Sequence, residues 1–225
     1  MNPVKIRFLL LLLTPAIALL GSACLKIDKE GLYTRDGFTY DLGEVRNDTD
    51  SFYQFVEVVG TYYDSSGNIV ASESGYTCTD LVNPHDSAPF SLMLLSAPPI
   101  ARYELAVQGR PTVDVLATYL SVEQVNIRED EYSGLHVLGS VRNNGNVTYG
   151  FVEVCAAFYQ NGVVVDTDFT YTQLDVLGPG QASSFDIWAW TLPEGTTDVR
   201  LWVDADQQGS WGRVIPISTG TIPIP

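Results

Sequence analysis

The same run of residues occurs twice in this chain. Leu42-Gly43-x-Val45-Arg46-Asn47 returns as Leu138-Gly139-x-Val141-Arg142-Asn143, and Phe55-Val56-Glu57-Val58 returns as Phe151-Val152-Glu153-Val154, at an offset of 96 residues. The offset falls to 95 where Asp64-Ser65-Ser66-Gly67-Asn68 is matched by Gln160-Asn161-Gly162-Val163. Past that point Leu81-Val82-x-Pro84 matches Val176-Leu177-x-Pro179, and Phe90 matches Phe185. A length change confined to a turn is what a hairpin tolerates. Solenoid units repeat every 20 to 50 residues or so, so this longer period signals duplication of a whole domain.

Each copy reads as consecutive strands. Val152, Val154, Ala156 and Phe158 alternate with Phe151, Glu153, Cys155 and Tyr159, which places one set on each face of a sheet. Asn161-Gly162 accepts positive φ at both residues and closes a two-residue hairpin, while Gly67-Asn68 serves a longer turn in the first copy. Gly178-Pro179-Gly180 leads into a strand over 184–191, and Pro193-Glu194-Gly195 leads into another over 199–204. No amphipathic helical period interrupts them. The expected fold class is all-β: two tandem immunoglobulin-like antiparallel β-sandwich domains, at 24–110 and 111–208, joined near residues 109–112. Residues 209–225, with Pro216, Pro223 and Pro225 among Ser, Thr and Gly, read as a disordered tail.

The first residues form a leader. Lys5 and Arg7 precede a largely apolar run over 8–20, shorter than the roughly 20 residues needed to span a bilayer, so residues 1–23 are expected to be a signal peptide. Gly21, Ser22 and Ala23 then lead into Cys24. That order resembles a bacterial lipobox, which implies lipidation of Cys24 and a membrane partner through the lipid. Plain secretion after Ala23 is the alternative. Removing the leader takes the 12 Lys+Arg down by two and leaves all 27 Asp+Glu, moving the net charge from −15 to −17. Such a surface repels nucleic acid and suits solubility outside the cell.

Beyond Cys24 there is one cysteine in each copy. Cys78 aligns with Gln173 and Cys155 with Val59, so a bridge would have to cross between domains. Two free thiols acting as small apolar side chains are the favoured expectation, with the cross-domain bridge as alternative. His85 and His136 are the only histidines and have no clustered ligand spacing; no metal or cofactor is expected. Asp64-Ser65-Ser66-Gly67-Asn68 lacks the terminal Glu of a calcium loop and reads as a turn, and Asp204-Ala205-Asp206 reads as a solvated strand end. No acid, base and nucleophile set can be assembled, so the chain is not expected to be an enzyme; an accessory hydrolase is the disfavoured rival.

The repeated residues resemble the FxLYD domain family. The resemblance lies in Gly43-Glu44-Val45-Arg46-Asn47, in Tyr62-Tyr63-Asp64 with Gly67, and in Leu177-Gly178-Pro179-Gly180 with Phe185, while Gly60 and Ala156 stand where the naming Phe would be. It implies an exported bacterial or archaeal protein, often a lipoprotein of the cell envelope, and supplies no catalytic residues.

One constellation suggests binding. Alternation puts Trp188 and Trp190 with Asp186 on one face of the 184–191 strand, and Trp202 with Arg200 and Asp204 on one face of the next. If those strands pair through the 192–197 turn, Trp188 lies opposite Trp202 and Trp190 opposite Arg200. Either another part of the chain covers these rings, or Trp188, Trp190, Trp202 and Arg200 form a platform for a glycan or protein partner. The expected role is a non-enzymatic envelope interaction or structural module, with carbohydrate or protein binding through the Trp face as its sharper form.

Overall fold

The computed structural model describes residues 24–35, 37–95, 99–130 and 134–225; the expected leader, residues 1–23, lies outside them. The first copy contributes β1 (Leu25–Arg35), β2 (Phe38–Asn47), β3 (Phe52–Tyr63), β4 (Ile69–Tyr76), β5 (Leu81–Val82), β6 (Ser87–Leu95) and β7 (Arg102–Thr112). After the short β8 (Val115–Leu116), the second contributes β9 (Leu120–Glu129), β10 (Leu135–Asn143), β11 (Tyr149–Gln160), β12 (Val163–Tyr171), β13 (Val176–Leu177), β14 (Ala182–Ala189) and β15 (Asp198–Gln207). The chain closes with β16 (Arg213–Val214), β17 (Ile217–Ser218) and β18 (Ile222–Pro223).

The two copies pair strand for strand. In the first, β1-β2-β6 form one sheet, and β3, flanked by β4, β5 and β7, forms the other; β9-β10-β14 and β11 with β12, β13 and β15 repeat this order in the second. The fold is therefore all-β, two immunoglobulin-like antiparallel sandwiches. Val45, Val56, Val58, Phe90 and Leu92 fill the first core, and Val141, Val152, Val154, Phe158, Phe185 and Ile187 the second. The Asn-Gly turn forms as expected, with φ of 53° at Asn161 and 80° at Gly162 between β11 and β12.

The shared Asn explains why the copies kept one shape. Asn47 is fully buried, and its amide nitrogen donates to the carbonyls of Ser51 at 2.7 Å and Val82 at 3.2 Å. Asn143 donates likewise to Val147 at 2.7 Å and Leu177 at 3.0 Å. Their side-chain oxygens accept the N–H of Thr49 and of Gly145. Each Asn thus ties the loop that follows its own strand to a short strand, β5 or β13, through buried backbone carbonyls that an apolar residue would leave without this donor.

Two expectations are corrected here. The 209–225 tail is ordered: β17 and β18 add to the outer edge of β15, and β16 pairs in parallel with β8. The proline content misled because Ile217, Ile222 and Ile224 pack on the second core while the prolines fall at strand ends. Cys78 and Cys155 are joined in a disulfide, with Cα atoms 6.4 Å apart, rather than standing as free thiols. They occupy non-equivalent positions because the sandwiches meet through non-equivalent faces. β3 is buried on alternate residues, whereas β11 is buried on both faces; conversely β2 is buried on both faces and β10 on alternate ones.

The seam joins Leu42 and Tyr40 of the first copy to Cys155, Ala157, Tyr159, Val164 and Trp202 of the second. Small side chains at Cys155 and Ala157 let the sheets approach. The buried Glu44 carboxylate accepts from Lys29 at 2.9 Å and from the hydroxyls of Ser87 and Tyr159. Burial works against its charge, but those donors together outweigh it and hold the carboxyl below its ordinary range. Arg35 makes a two-point contact with Asp166, at 3.1 and 3.0 Å, across the same seam.

The disulfide joins residues 77 apart in sequence, for which the chain-entropy account gives about 4.5 kcal/mol. The Cys78→Ala, Cys155→Ala double variant is expected to lose roughly 2 to 4 kcal/mol in urea unfolding, and reductant should lower the wild-type midpoint alone. Equal midpoints for the two proteins without reductant would show that the bridge contributes nothing.

Candidate functional site

Alternation specifies which face a side chain occupies but not which strand lies beside it, and this undid the expected pairing. β14 pairs with β10 in one sheet, and β15 pairs with β11 in the other, so the 192–197 segment crosses between sheets instead of closing a hairpin. Trp188 lies opposite His136, and Trp202 lies opposite Cys155. The four residues of the expected platform therefore separate to opposite sides of the second sandwich.

Trp202 and Arg200 face the seam. The Trp202 ring is 2% exposed and its Nε1–H donates to the Ser87 carbonyl at 2.6 Å. Arg200 lies 4.6 Å over that ring, and its guanidinium donates to Asp86 at 2.6 Å, Ser87 at 3.0 Å, Ser218 at 2.8 Å and the Thr219 carbonyl at 3.1 Å. These two residues tie the first copy, the second copy and the tail together and are not presented to a partner.

Trp188 and Trp190 face outward. Trp188 is 38% exposed and Trp190 57%. Their ring centroids are 3.9 Å apart, and Trp188 also stacks on His136 at 5.4 Å with 13° between planes. Trp188 is the middle ring of the three, and Trp190 carries the outer face. His136 was not singled out from sequence for this role, although its place one strand over became visible once β10 and β14 paired. Its Nδ1 lies 2.8 Å from Asp186, and its Nε2 lies 3.5 Å from Asp130. Gly134 borders Trp188, where a side chain would collide with the indole Nε1. The equivalent strip of the first copy, Met93 and Leu95 on β6, is also exposed.

A second feature recurs in both copies. Phe55 and Phe151 each sit at a bulge of the long central strand with φ of 51° and 47°, a region that costs a bulky side chain on the order of 1 to 2 kcal/mol. Lys29 and Gln124, with φ of 52° and 57°, mark the equivalent bulges of β1 and β9. Beside the Phe151 bulge, Cys78, Glu153 and Cys155 converge, but the two sulfurs are bonded to each other and offer no thiolate to a metal. Asp204, expected at a solvated strand end, is buried: it accepts the N–H of Asp80 at 2.6 Å and of Ala205 at 2.8 Å.

The fold and these surfaces define a β-sandwich pair with exposed aromatic clusters. Comparison with solved structures finds distant likeness to red sea bream transglutaminase, at 13% identity over 89% of this chain and 31% of that one, with a TM-score of 0.32. Similar figures hold for Bacteroides uniformis beta-glucuronidase 2, at 14% identity over 81% and 26% with a TM-score of 0.28. A glycosyl hydrolase family 2 member from Bacteroides cellulosilyticus DSM 14838 gives 13% identity over 82% and 28%, with a TM-score of 0.26. The chain spans less than a third of the length of each, and likeness at this level carries no statement about activity. No protein-family model matches the chain, and no curated protein matches it either.

Two buried carboxyls give the molecule a pH signature. Burial pushes Asp41 up to about 7 despite the Tyr62 hydroxyl donating to it at 3.0 Å, and the neighbouring Glu30 charge adds to the rise. Burial likewise pushes Asp204 up to about 7 against its two backbone donors. An unfolded aspartate releases its proton near 4, so between about 4 and about 7 the folded state holds more protons than the unfolded one. Their contribution is complete below about 4 and is lost as pH rises to about 7. Urea midpoints are expected to fall across that window, and Asp41→Asn, which keeps an acceptor for Tyr62, should flatten the slope. A midpoint that rises from pH 5 to 7 in wild type would contradict this.

Proposed function

We propose that this chain is an exported, lipid-anchored interaction module without catalytic activity, built on two FxLYD-like sandwiches, which binds a glycan through the aromatic stack of the second. The observation that carries this reading is the Trp188–Trp190 pair. Two indoles lie in mutual contact and in water, Trp188 on a strand fixed by eight residues of register with β10 and Trp190 directly after its end. Large rings left in solvent while Trp202 is spent on the seam mark a surface kept for a partner. An indole face accepts the C–H face of a sugar ring, and Asp186 and Asp130 at its margin supply acceptors for hydroxyls.

The absence of catalysis is part of the same reading. No acid, base and nucleophile set can be assembled around the two histidines, His85 beside Asp50 at 2.8 Å and His136 beside Asp186. Titration of chitotetraose, cellotetraose and mannotetraose against the protein, followed by tryptophan fluorescence and calorimetry, tests the glycan. Trp190→Ala is expected to weaken binding of the preferred sugar about tenfold, near 1.4 kcal/mol, and to leave the urea midpoint unchanged. Binding that survives Trp190→Ala, or none of the sugars binding, would remove the platform.

Anchoring rests on the order of charges, apolar residues and small residues before Cys24. That cysteine is free, packs at the margin of the first core and directly precedes β1. Lipid on it would hold the first sandwich against the bilayer with no spacer. In a bacterial expression host, radiolabelled palmitate is expected on the wild type and absent from Cys24→Ser, which should leave the membrane fraction. Incorporation into Cys24→Ser would end the assignment.

A further inference from the structure

The duplication supplies an internal comparison at the two strained phenylalanines. In the first copy a cleft of about 370 Å³ is lined by Phe55, Glu57, Tyr76, Gln108, Gly109 and Arg110. In the second a cleft of about 260 Å³ is lined by Phe151, Glu153, Tyr171, Asp204, Ala205 and Asp206, with Cys78 and Asp80 of the first copy on its rim. The pairing registers make these the same six positions. Glu57 faces Tyr76 and Gln108, as Glu153 faces Tyr171 and Asp204; Gln54 faces Arg110, as Gly150 faces Asp206. The Phe, Glu and Tyr are common to both, and the strand opposite differs: Gln108 and Arg110 become Asp204 and Asp206.

That difference decides what covers the aromatic ring. In the first copy the Arg110 guanidinium lies 6.0 Å over the Phe55 ring, so the cleft holds a cation from its own chain. In the second copy the residue in that place is a carboxylate. Phe151 is 73% exposed against 51% for Phe55, and among the described residues no cation lies over it. Asp80 on the rim is already paired with Arg213. Glu153 and Asp206 thus line the cleft of an exposed aromatic ring in a chain of net charge −15, with Asp204 buried against the Asp80 and Ala205 N–H groups. A solvated strand end would not explain why the strained Phe is kept at both bulges, since Gly adopts that φ at no steric cost.

We propose that the Phe151 cleft binds an arginine side chain of a partner protein, the guanidinium taking over Phe151 the place that Arg110 takes over Phe55. Asp206 supplies the opposite charge from the adjacent strand, and Tyr171 and Glu153 line the cleft beside it. In the first copy the place over the ring is already taken by Arg110. This site lies apart from the Trp188–Trp190 stack and does not depend on it.

The test is titration of an acetylated, amidated peptide of alternating Gly and Arg, carrying a dye, into the full mature chain at low salt. One peptide per protein is expected, with affinity reduced at least tenfold by Asp206→Arg, which places a cation over Phe151 from within. Phe151→Gly should weaken binding at least threefold without loss of fold, because glycine suits that φ. Arg110→Asp should raise the stoichiometry from one to two by opening the first cleft. Glu194→Arg, an equal change of charge at an exposed turn, and Trp190→Ala should leave affinity unchanged. Equal weakening by Asp206→Arg and Glu194→Arg would reduce the effect to net charge and overturn the site. So would a stoichiometry that stays at one in Arg110→Asp, or wild-type protein that does not bind the peptide.

Discussion

A buried carboxylate that stays ionised sets the relation between the two halves of this molecule. Glu44 projects from the outer face of β2 into the seam, where Lys29, Ser87 and the Tyr159 hydroxyl all donate to it. Lys29 and Ser87 pair the charge from within the first sandwich, and Tyr159 adds the one donor that reaches it from the second, so the buried carboxylate marks a single point at which the two halves must meet. Around that point the Arg200 contacts to Asp86 and Ser87, the Trp202 bond to Ser87 and the Cys78–Cys155 bridge fall into place. Polar groups fix the register of the seam, and Leu42, Ala157 and Val164 supply its apolar area.

Much of this fold could be read from the chain because duplication doubles every local signal. The turn at Asn161-Gly162 and the inward sets on β11 and β14 follow from period and turn chemistry. What could not be read was which strands are neighbours. Phe185, Ile187 and Ala189 face the same core whether β14 pairs with β15 or with β10, so the sequence pattern is blind to the difference. The disulfide stood only as the alternative to free thiols for a related reason. Cys155 lies on a face that alternation alone assigns to solvent, and only the seam gives it a partner.

The candidate sites show the same division. Trp188 and Trp190 were legible as an outward aromatic pair, because positions two apart on a strand share a face. Trp202 and Arg200 obey the same rule on β15, but their outward face is covered by the other copy. Phe151 gave no warning at all in composition or period. Its meaning comes from backbone geometry shared with Phe55 and from a change of charge on the facing strand, both visible only when the copies are overlaid in three dimensions.

The seam is a head-to-tail contact, β2 of one copy against β11 of the next, and contacts of that kind continue into open filaments when both faces are kept on every unit. Here each unused face has lost its half of the match. Ser140 stands where Glu44 would be needed, Gln181 where Asp86 would be, Glu104 where Arg200 would be, and Ala106 where Trp202 would be. A further chain offered to either end would meet neither the charge pair nor the indole. Divergence of the copies thus gives the contact a direction: the face of β2 that it uses and the face of β11 that it uses each occur on one copy and not on the other.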